Sequence, residues 1–366
     1  MWREHLPYQG TIDVTASSNK VYAATVHSFF SVDLVTKEVS RFSKVSGLSE
    51  TGISTLRFDP VSKKLFIAYS NSNIDVADEK GIRNIPDLKR ENIPGDKTIY
   101  HIYPNNSRCY LSTGLGVIVL DADRLEIKDS WFIGNSGGQV RTNAFTISGG
   151  FFYAATQEGL KRTPAGGANP ADFNNWQNLS GSNGLPAAPA ASVLTIQDKT
   201  VVLTKDSLFA FNGAAWELLF ANGLPILSVN VSENKLMVCQ DGPAAGARVQ
   251  VLDANGTVLR TIQQPQAIVT PKNAIMVNNE PWIADLAGLS HWTGNSFDQY
   301  KLNSPESTTS GVMLVQNGTL LATAGSVNDS WNYLYNRGGI FRFSEGRWSA
   351  YNQYSDPQLD TLLDFL

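Results

Sequence analysis

The chain has 366 residues, of which 42% are hydrophobic, which is enough to build a large buried core. Its net charge is −4 and it contains no basic run, which argues against a nucleic-acid-binding surface. No stretch approaches the roughly 18 consecutive apolar residues that a membrane-spanning helix needs, so the sequence predicts no membrane span.

A short apolar phrase recurs eight times along the chain. Its copies read VYAAT, LFIAY, CYLST, FYAAT, TVVLT, LMVCQ, PWIAD and TLLAT. They end at positions 25, 69, 113, 156, 204, 240, 285 and 323, which lie between 36 and 48 residues apart. A period in this range indicates a repeat architecture.

Each repeat unit contains four short segments with the character of strands. The first alternates polar and apolar residues, as at 52–58, and the second is the repeated phrase. The third often begins with glycine, as at 116–120, and the fourth carries an aromatic residue, as at 216–219. Asn212-Gly213 separates the last two segments of its unit, which is typical of a tight hairpin. The predicted fold class is therefore all-β, a β-propeller of four-stranded antiparallel blades.

The fourth position of the phrase is small in seven of its eight copies: Ala24, Ala68, Ser112, Ala155, Cys239, Ala284 and Ala322. Leu203 is the exception. A small side chain at one fixed point is expected where neighbouring sheets crowd together. A β-sandwich would not show this rhythm, and a parallel solenoid would repeat at roughly half the length.

The repeats leave the number of blades open. We count eight units, the last at about 308–355, while residues 2–8 resemble an isolated fourth strand and residues 360–366 resemble the start of another unit. We therefore predict a propeller of about seven blades over residues 1–307. Residues 308–366 are predicted to form a further blade-like unit, which either closes the ring or starts a second propeller. The chain is expected to be part of a longer protein.

The amino terminus, residues 1–5, has no apolar segment of the kind found in signal peptides. This leaves a cytosolic protein or a domain without its leader, and the second is favoured because residues 2–8 already resemble structured chain. Cys109 and Cys239 lie three repeats apart. In a ring they would be distant from one another, so we predict two buried thiols and no disulfide.

Sequence motifs that could support catalysis have simpler explanations. Residues 134–138 read Gly-Asn-Ser-Gly-Gly, which resembles the sequence around the nucleophile of a serine protease. A serine nucleophile also needs a histidine base and a buried carboxylate, and the upstream histidines lack the expected context. A turn is therefore the favoured interpretation. The acidic groups at 121–123 and 253–256 hint at calcium, yet neither continues as a calcium-binding loop, and we expect them to cap turns. The four histidines form no zinc-binding pair. We predict no enzymatic activity, no cofactor and no metal.

One segment interrupts the repeat of the last unit. Residues 326–338 form a long polar insertion that carries Trp331, Tyr333, Tyr335 and Arg337. Aromatic rings can stack on a sugar and arginine can pair with an acidic group, so we predict that these four residues bind a ligand. The alternative is an ordered loop that covers a neighbouring blade.

Several segments resemble the amino-terminal propeller of the PorZ-like proteins, which belong to the type IX secretion system of Bacteroidetes. They are residues 2–8 (WREHLPY), 43–49 (SKVSGLS), 52–56 (GISTL), 68–75, 87–93, 97–100 and 126–129. The resemblance is dense over residues 2–135, and the later Gly-Leu-Pro and Trp signals resemble the wider class of two-component regulator propellers. The resemblance implies seven-bladed propellers in tandem, followed by a sorting domain. Seven blades per ring is one fewer than the eight units counted.

The resemblance also implies a function. PorZ-like proteins are non-enzymatic, lie on the outer-membrane surface and help attach secreted cargo to an anionic lipopolysaccharide. We therefore expect an exported binding and scaffold module at the outer-membrane surface or in the periplasm. Its partners would be secretion-system proteins or a glycan such as lipopolysaccharide. The alternatives are the periplasmic carbohydrate-sensing propeller of a two-component system and, third, a polysaccharide lyase or glycosidase. No binding residues are transferred from the family.

Overall fold

The computed structural model describes residues 4–243, 246–265, 267–309, 311–325, 327–328, 330–333, 338–353 and 355–361. This described part of the chain contains eight four-stranded antiparallel sheets, in each of which the strands lie side by side in chain order. The predicted fold class, a β-propeller of four-stranded antiparallel blades, is confirmed. The chain divides into two compact units, Thr11–Gln299 and Met1–Gly10 with Tyr300–Leu366.

The first four blades contain strands β1 to β16. Blade 1 comprises Thr11–Ala16, Lys20–Thr25, Phe29–Asp33 and Val39–Phe42 (β1–β4). Blade 2 comprises Ile53–Asp59, Lys64–Tyr69, Ile74–Asp78 and Gly81–Ile85 (β5–β8). Blade 3 comprises Ile99–Asn105, Arg108–Thr113, Val117–Asp121 and Glu126–Trp131 (β9–β12). Blade 4 comprises Thr142–Ser148, Phe151–Thr156, Gly159–Pro164 and Gln177–Asn178 (β13–β16).

The remaining sheets contain strands β17 to β32. Blade 5 comprises Ala190–Ile196, Lys199–Thr204, Ser207–Phe211 and Trp216–Phe220 (β17–β20). Blade 6 comprises Ile226–Ser232, Lys235–Gln240, Arg248–Leu252 and Val258–Ile262 (β21–β24). Blade 7 comprises Pro271–Val277, Glu280–Asp285, Gly288–Trp292 and Phe297–Tyr300 (β25–β28). The last sheet comprises Met313–Gln316, Thr319–Thr323, Ile340–Ser344 and Arg347–Tyr351 (β29–β32).

Short helical segments occur in the connections. One is a single α-helical turn at Asp87–Arg90, and the others are 3-10 turns at Lys44–Ser46, Asn135–Gly137, Phe173–Asn175 and Pro357–Thr361. Within the described ranges, none of the helices is long and apolar enough to cross a membrane.

The first strands of blades 1 to 7 form a closed ring. Each contacts the first strand of the next blade, in the order β1, β5, β9, β13, β17, β21, β25 and back to β1. The Thr11 hydroxyl donates to the Asp285 carbonyl at 3.0 Å and accepts from the Asp285 amide at 2.9 Å, which joins the second strand of blade 7 to blade 1. Each of these blades supplies all four of its own strands, so the ring closes through side-by-side packing of complete sheets.

The repeated phrase forms the second strand of every sheet, where it is almost wholly buried in blades 1 to 7. Core clusters lie between adjacent blades; one of them combines Ala24 and Phe29 of blade 1 with Leu56 and Ile67 of blade 2. Burial of these apolar side chains on both faces of each sheet is what stabilises the ring. The small fourth position of the phrase lies in this crowded layer, as predicted.

A β-bulge recurs near the start of the first strand in all seven blades. In blade 1 it lies between Thr11 and Asp13, which pair with Thr25 and Ala24 of the repeated phrase. The same irregularity occurs at the matching point of β5, β9, β13, β17, β21 and β25. A bulge increases local twist and redirects the side chains that follow it. The sequence pattern did not predict this feature.

Glycine before the third strand has a steric cause. Gly116 has a φ of +141°, and a Cβ there would lie 2.2 Å from the carbonyl oxygen of Trp131 at the end of β12. Gly159 has a φ of +117°, and its Cβ would lie 2.5 Å from the Ser180 hydroxyl. The end of the fourth strand therefore leaves no room for a side chain at the start of the third.

The predicted hairpin and the predicted state of the cysteines are confirmed. Asn212 lies in the turn between β19 and β20, where its side-chain oxygen accepts from the Ala214 and Ala215 amides at 2.9 and 2.8 Å. Cys109 and Cys239 are both buried and free of disulfides. Burial raises the pKa of the Cys109 thiol and raises the pKa of Cys239 to about 12, so both remain protonated.

The other compact unit contains the last sheet and the amino-terminal segment. Residues 4–8 form no strand, in contrast to the isolated fourth strand predicted there. Pro7 has no amide hydrogen, and the Tyr8 amide donates to the Ser304 hydroxyl at 3.1 Å, so neither can extend a strand ladder. The Trp348 indole donates to His5 Nδ1 at 3.1 Å. The amino-terminal segment is thus held to this unit by side chains.

The first strand of the last sheet differs from those of the ring. Every residue of β29 is exposed, including Met313 at 65% and Val315 at 71%. The second strand of this sheet also lacks the full burial seen in blades 1 to 7. That residues 308–366 form a further unit, which either closes the ring or starts a second propeller, stays a prediction.

Asp13 connects three blades of the ring. Its Oδ1 accepts from the Val14 amide at 2.8 Å and from Asn273 Nδ2 of blade 7 at 2.6 Å. Its Oδ2 accepts from the Thr55 hydroxyl and the Leu56 amide of blade 2 at 2.7 and 3.0 Å. The side chain is 8% exposed, so all four donors depend on it.

We expect Asp13→Ala to lower the free energy of unfolding by about 3 kcal/mol, because it leaves four shielded donors without their acceptor. Asp13→Asn keeps one carbonyl oxygen and is expected to cost less. Urea denaturation followed by circular dichroism measures both, with exposed Glu79→Ala as the control. A loss for Asp13→Ala no larger than that of the control would contradict this role.

Candidate functional site

Two adjoining cavities lie at the centre of the ring. One has a volume of about 350 Å³ and is lined by β1, β5, β21 and β25 and by the turns that follow them. The other has a volume of about 250 Å³ and is lined by β5, β9, β13, β17 and β21. Arg57 and Val231 line both. Together the cavities mark a central channel walled by first strands.

One register position faces this channel in all seven blades. It is the first-strand residue paired with the second residue of the repeated phrase, as Thr15 pairs with Tyr22 and Arg57 with Phe66. Around the ring the position is held by Thr15, Arg57, Tyr103, Thr146, Leu194, Asn230 and Ile275. We call these seven residues the channel belt. Five of them carry polar groups, although the surrounding strand positions are mainly apolar.

Arg57 gives the belt its positive charge. Its side chain is half-buried, and among the described residues no protein group forms a hydrogen bond or ion pair with its guanidinium. Glu233, the carboxylate in the cavity lining, is engaged elsewhere: it accepts from the Asn278 and Asn279 amides at 2.6 and 2.9 Å. The charge of Arg57 is therefore not neutralised by a direct partner in this part of the chain.

His101 lies beside this charge in the second cavity. Burial, and to a lesser degree the positive charge of Arg57, lower the pKa of His101 to about 3. The imidazole is therefore neutral at physiological pH, and its Nδ1 accepts from the Phe145 amide at 3.4 Å. His101 adds no second cation to the channel.

Hydroxyl and amide groups complete the polar lining. Thr146 and Thr195 share a hydrogen bond at 2.9 Å between the first strands of blades 4 and 5. Asn230 donates to Asn273 Oδ1 at 3.3 Å, and its own Oδ1 accepts from the Val231 amide at 2.9 Å. These contacts hold the side chains between neighbouring blades. The channel thus offers fixed neutral polar groups around one cation.

Aromatic rings also line the cavities. Phe58 stacks on Tyr22 with ring centroids 6.0 Å apart, and Tyr103 packs edge-on against Phe145 at 5.8 Å. Such rings present flat apolar surface next to the polar belt. Chemically, this combination suits binding of a polar anion with an apolar face.

The loop predicted to bind a ligand is partly described. Trp331 is 83% exposed and has a φ of +61°, and Tyr333 is 65% exposed and forms a β-bridge with Val327. Asn328 organises the turn, because its side-chain oxygen accepts from two following amides, one of them that of Ser330 at 2.9 Å. Two of the four predicted residues are thus displayed on one exposed turn.

The other two predicted ligand-binding residues, Tyr335 and Arg337, lie outside the described residues. The assignment of Trp331, Tyr333, Tyr335 and Arg337 as a binding site therefore stays a prediction.

The motifs set aside in the sequence serve as turns. Ser136 is exposed in the 3-10 turn Asn135–Gly137. Asp121 Oδ1 accepts from the Asp123 and Arg124 amides at 3.0 and 2.9 Å, and these contacts lower its pKa. Asp253 caps its turn in the same way, with the Asn255 amide at 2.8 Å. Across the residues that are described, no group of three or more His, Cys, Asp or Glu side chains could hold a metal ion.

Sequence reasoning missed the channel belt. A signal for it exists: Arg57 stands between Leu56 and Phe58 in a first strand, at the position that carries Thr15 and Thr146 in other units. Aligning the units on the repeated phrase places Thr15 and Thr146 at one level, seven residues before Tyr22 and Tyr153. Arg57 lies nine residues before Phe66, because the turn at 60–63 of blade 2 is two residues longer, and this difference obscured its place in the belt.

Part of the chain matches a known family. Residues 21–177 match the family model described as the N-terminal β-propeller domain of PorZ of the type IX secretion system. The match runs from the second strand of blade 1 into the last strand of blade 4. The predicted resemblance of this region to the amino-terminal propeller of PorZ-like proteins is confirmed. None of the curated proteins compared with the chain matches it.

Solved structures share the fold. PorZ, described as an essential bacterial surface component of the type-IX secretion system of Porphyromonas gingivalis, aligns with a TM-score of 0.79 at 21% identity, covering 98% of this chain and 47% of that chain. The extracellular domain of the putative hybrid two component system BT3049 from B. thetaiotaomicron aligns with a TM-score of 0.59 at 14% identity, covering 95% of this chain and 48% of that one. A chain of the mitotic checkpoint complex aligns at 0.58 and 13% identity, covering 80% of this chain and 95% of that chain.

These identities show the fold alone. The chain spans about half the length of the PorZ and BT3049 structures that it matches. The expected kinship with two-component regulator propellers is confirmed at the level of fold.

The neutral state of His101 has a measurable consequence. As pH falls below about 6.5, an unfolded histidine binds a proton, whereas folded His101 remains neutral until about pH 3. Proton uptake therefore favours the unfolded chain across this window, and stability falls with falling pH. We expect His101→Gln to lose less stability than the wild type between pH 6.5 and pH 4. Urea denaturation at several pH values measures this, and identical slopes would contradict it.

Proposed function

We propose that this chain is a non-catalytic binding and scaffold module of a type IX secretion apparatus at the cell surface, where it takes part in attaching cargo to an anionic lipopolysaccharide. The observation that carries the proposal is the match of residues 21–177 to the PorZ amino-terminal propeller family. This match covers the second to the fourth blade almost completely. The protein would then be exported, with partners among secretion proteins and surface glycans.

The chemistry of the turns supports a non-catalytic role. The serine of the Gly-Asn-Ser-Gly-Gly sequence is exposed on a surface turn, and the acidic pairs cap their own backbone amides. Catalysis by an activated serine needs a base within hydrogen-bond reach. The hydrogen-bonding capacity of the two acidic motifs is instead directed at the local backbone.

We also propose that residues 308–366 start a second propeller. The ring of blades 1 to 7 closes through its own strands, and the first strand of the last sheet is exposed throughout. First strands of propeller blades are normally covered by the neighbouring blades, as they are in the ring. Further blades beside β29 would bury Met313 and Val315. The PorZ structure, which is about twice as long as the aligned region, is consistent with such an arrangement.

A second candidate function is the carbohydrate-sensing propeller of a two-component system. The shared fold with the extracellular domain of BT3049, at a TM-score of 0.59, favours it. The two candidates differ in consequence. A secretion module affects cargo at the cell surface, whereas a sensor affects transcription in response to a glycan.

The gene in its native bacterium separates these functions. We expect an in-frame deletion of the codons for residues 11–300 to reduce the surface-attached fraction of type IX cargo, as measured by immunoblotting of cell fractions. Complementation with the intact gene is the control. Unchanged cargo attachment together with a lost transcriptional response to a glycan would favour the sensor instead.

Trp331 and Tyr333 are proposed to contribute to glycan binding together with Tyr335 and Arg337. We expect Trp331→Ala to weaken binding of the purified chain to anionic lipopolysaccharide by about tenfold, because a stacking ring is worth roughly 1 kcal/mol or more. Surface plasmon resonance measures the affinity for immobilised anionic and neutral lipopolysaccharide. Tyr351→Ala, which removes an exposed ring from β32, is the matched control.

Arg337→Ala is expected to weaken binding to the anionic form and to leave binding to the neutral form unchanged, since only the former has an acidic group to pair with. If both Trp331→Ala and Arg337→Ala bind like the Tyr351→Ala control, the loop is not the binding site.

A further inference from the structure

The guanidinium of Arg57 places a positive charge inside the ring, where it is partly removed from water. An arginine that is partly removed from water normally recovers the lost hydration through a carboxylate or several carbonyl acceptors. In the described chain Arg57 has neither a hydrogen bond nor an ion pair. A positive charge kept in this position without a protein partner is suited to an anion that comes from outside.

Two carboxylates of the ring, Asp13 and Glu233, are already engaged. Asp13, on the first strand of blade 1, accepts four hydrogen bonds within the ring wall. Glu233, at the mouth of the first cavity, accepts two backbone amides of the turn that contains Asn278. Neither carboxylate forms an ion pair with Arg57, so the cation remains available within the described structure.

The neutral groups around Arg57 suggest the rest of the ligand. Tyr103 and Asn230 lie at the same level of the channel, are partly exposed and carry a hydroxyl and an amide group, whereas the hydroxyls of Thr15 and Thr146 are buried and hydrogen-bonded within the wall. Groups of this kind exchange hydrogen bonds with hydroxyls of a ligand. Phe58 and Tyr103 add ring surface beside them, against which the apolar face of a saturated ring can pack.

The size of the cavities limits the ligand further. Volumes of about 350 and 250 Å³ are at the small end of the range for small-molecule sites. Because Arg57 lines both cavities, a ligand held by its guanidinium could extend into either one.

We infer that the central channel binds a small oxyanion carried on a hydroxylated ring, such as an acidic monosaccharide, with Arg57 as its charge partner. The guanidinium pairs with the carboxylate or phosphate group in a bidentate manner. The Tyr103 hydroxyl and the Asn230 amide bind the ring hydroxyls, and the aromatic side chains contact the ring face. This site is separate in sequence from the insertion at 326–338, and it does not depend on a role in secretion.

The test is isothermal titration calorimetry of the purified chain with four probes: glucuronate, glucose 6-phosphate, glucose and inorganic phosphate. We expect both acidic sugars to bind and to bind at least about tenfold more tightly than glucose, which lacks the charge, and than phosphate, which lacks the ring. Competition between glucuronate and glucose 6-phosphate identifies which acidic group the site prefers. Binding of one of them suffices to support the inference.

Variants locate the binding in the channel. Arg57→Gln is expected to reduce affinity for the preferred acidic sugar by about tenfold or more, and Arg57→Lys, which keeps the charge but loses the planar fork, by a smaller factor. Arg260→Gln removes an exposed arginine from β24 and serves as the matched control. Circular dichroism verifies that each variant is folded, and if Arg57→Gln fails to fold, Arg57→Lys with Asn230→Ala replaces it.

Three results would overturn the inference. They are no binding of either acidic sugar to the wild type, equal affinity for glucose and glucuronate, or full affinity in the folded Arg57 variants. Phosphate binding as tightly as glucose 6-phosphate would show that the ring groups play no part. Because the probes are free small molecules, each of these outcomes leaves the proposed role in secretion untouched, and loss of that role leaves the channel site untouched.

Discussion

The paired hydrogen bonds between Thr11 and Asp285 close the ring on which the rest of the propeller depends. They bring together residues 274 positions apart in the chain. The Asp285 carboxylate is buried and accepts from the Val269, Thr270 and Ala287 amides. Burial raises the pKa of Asp285, and the hydrogen bonds from the three amides oppose that rise. These amides of the surrounding turns hold the carboxylate in place and offset part of the cost of burying it. Without closure at this point, the core faces of blades 1 and 7 would be open to water.

Closure also determines what the centre of the molecule can do. Seven first strands converge on the axis, and the bulge near the start of each increases the twist of the residues beyond it. Side chains at one register position of the seven first strands then face a common space at the centre of the ring. A single arginine in that space has no hydrogen-bond or ion-pair partner in the described structure, and the partly buried histidine beside it stays neutral. Closure of the ring, which completes the core, thus also places one positive charge in a half-buried position at its centre.

The proposed binding positions on this scaffold are of two kinds. The exposed turn containing Trp331 interrupts the rhythm of the last sheet, while the channel belt follows the rhythm and differs only in side-chain chemistry. The family match concerns the first four blades, and Arg57 and His101 both lie within the matched residues. The repeated phrase itself is buried between sheets, so it stabilises the propeller and presents nothing to a ligand.

Much of this architecture could be derived from the sequence. The eight copies of the phrase, the Asn212-Gly213 turn and the buried cysteines are local features, since strand alternation and turn chemistry depend on near neighbours along the chain. The ring and the channel are different. Three features follow from packing between segments that are distant in the chain. Asp13 joins Asn273 to Thr55, residues 4–8 are held by side chains without forming a strand, and Arg57 lies without a partner at the axis. Sequence alone determined the blade, because its hydrogen bonds are made between strands that are adjacent in the chain. Only the tertiary structure decided which seven blades close the ring and which charge lies at its centre, because both depend on contacts between residues far apart in the chain.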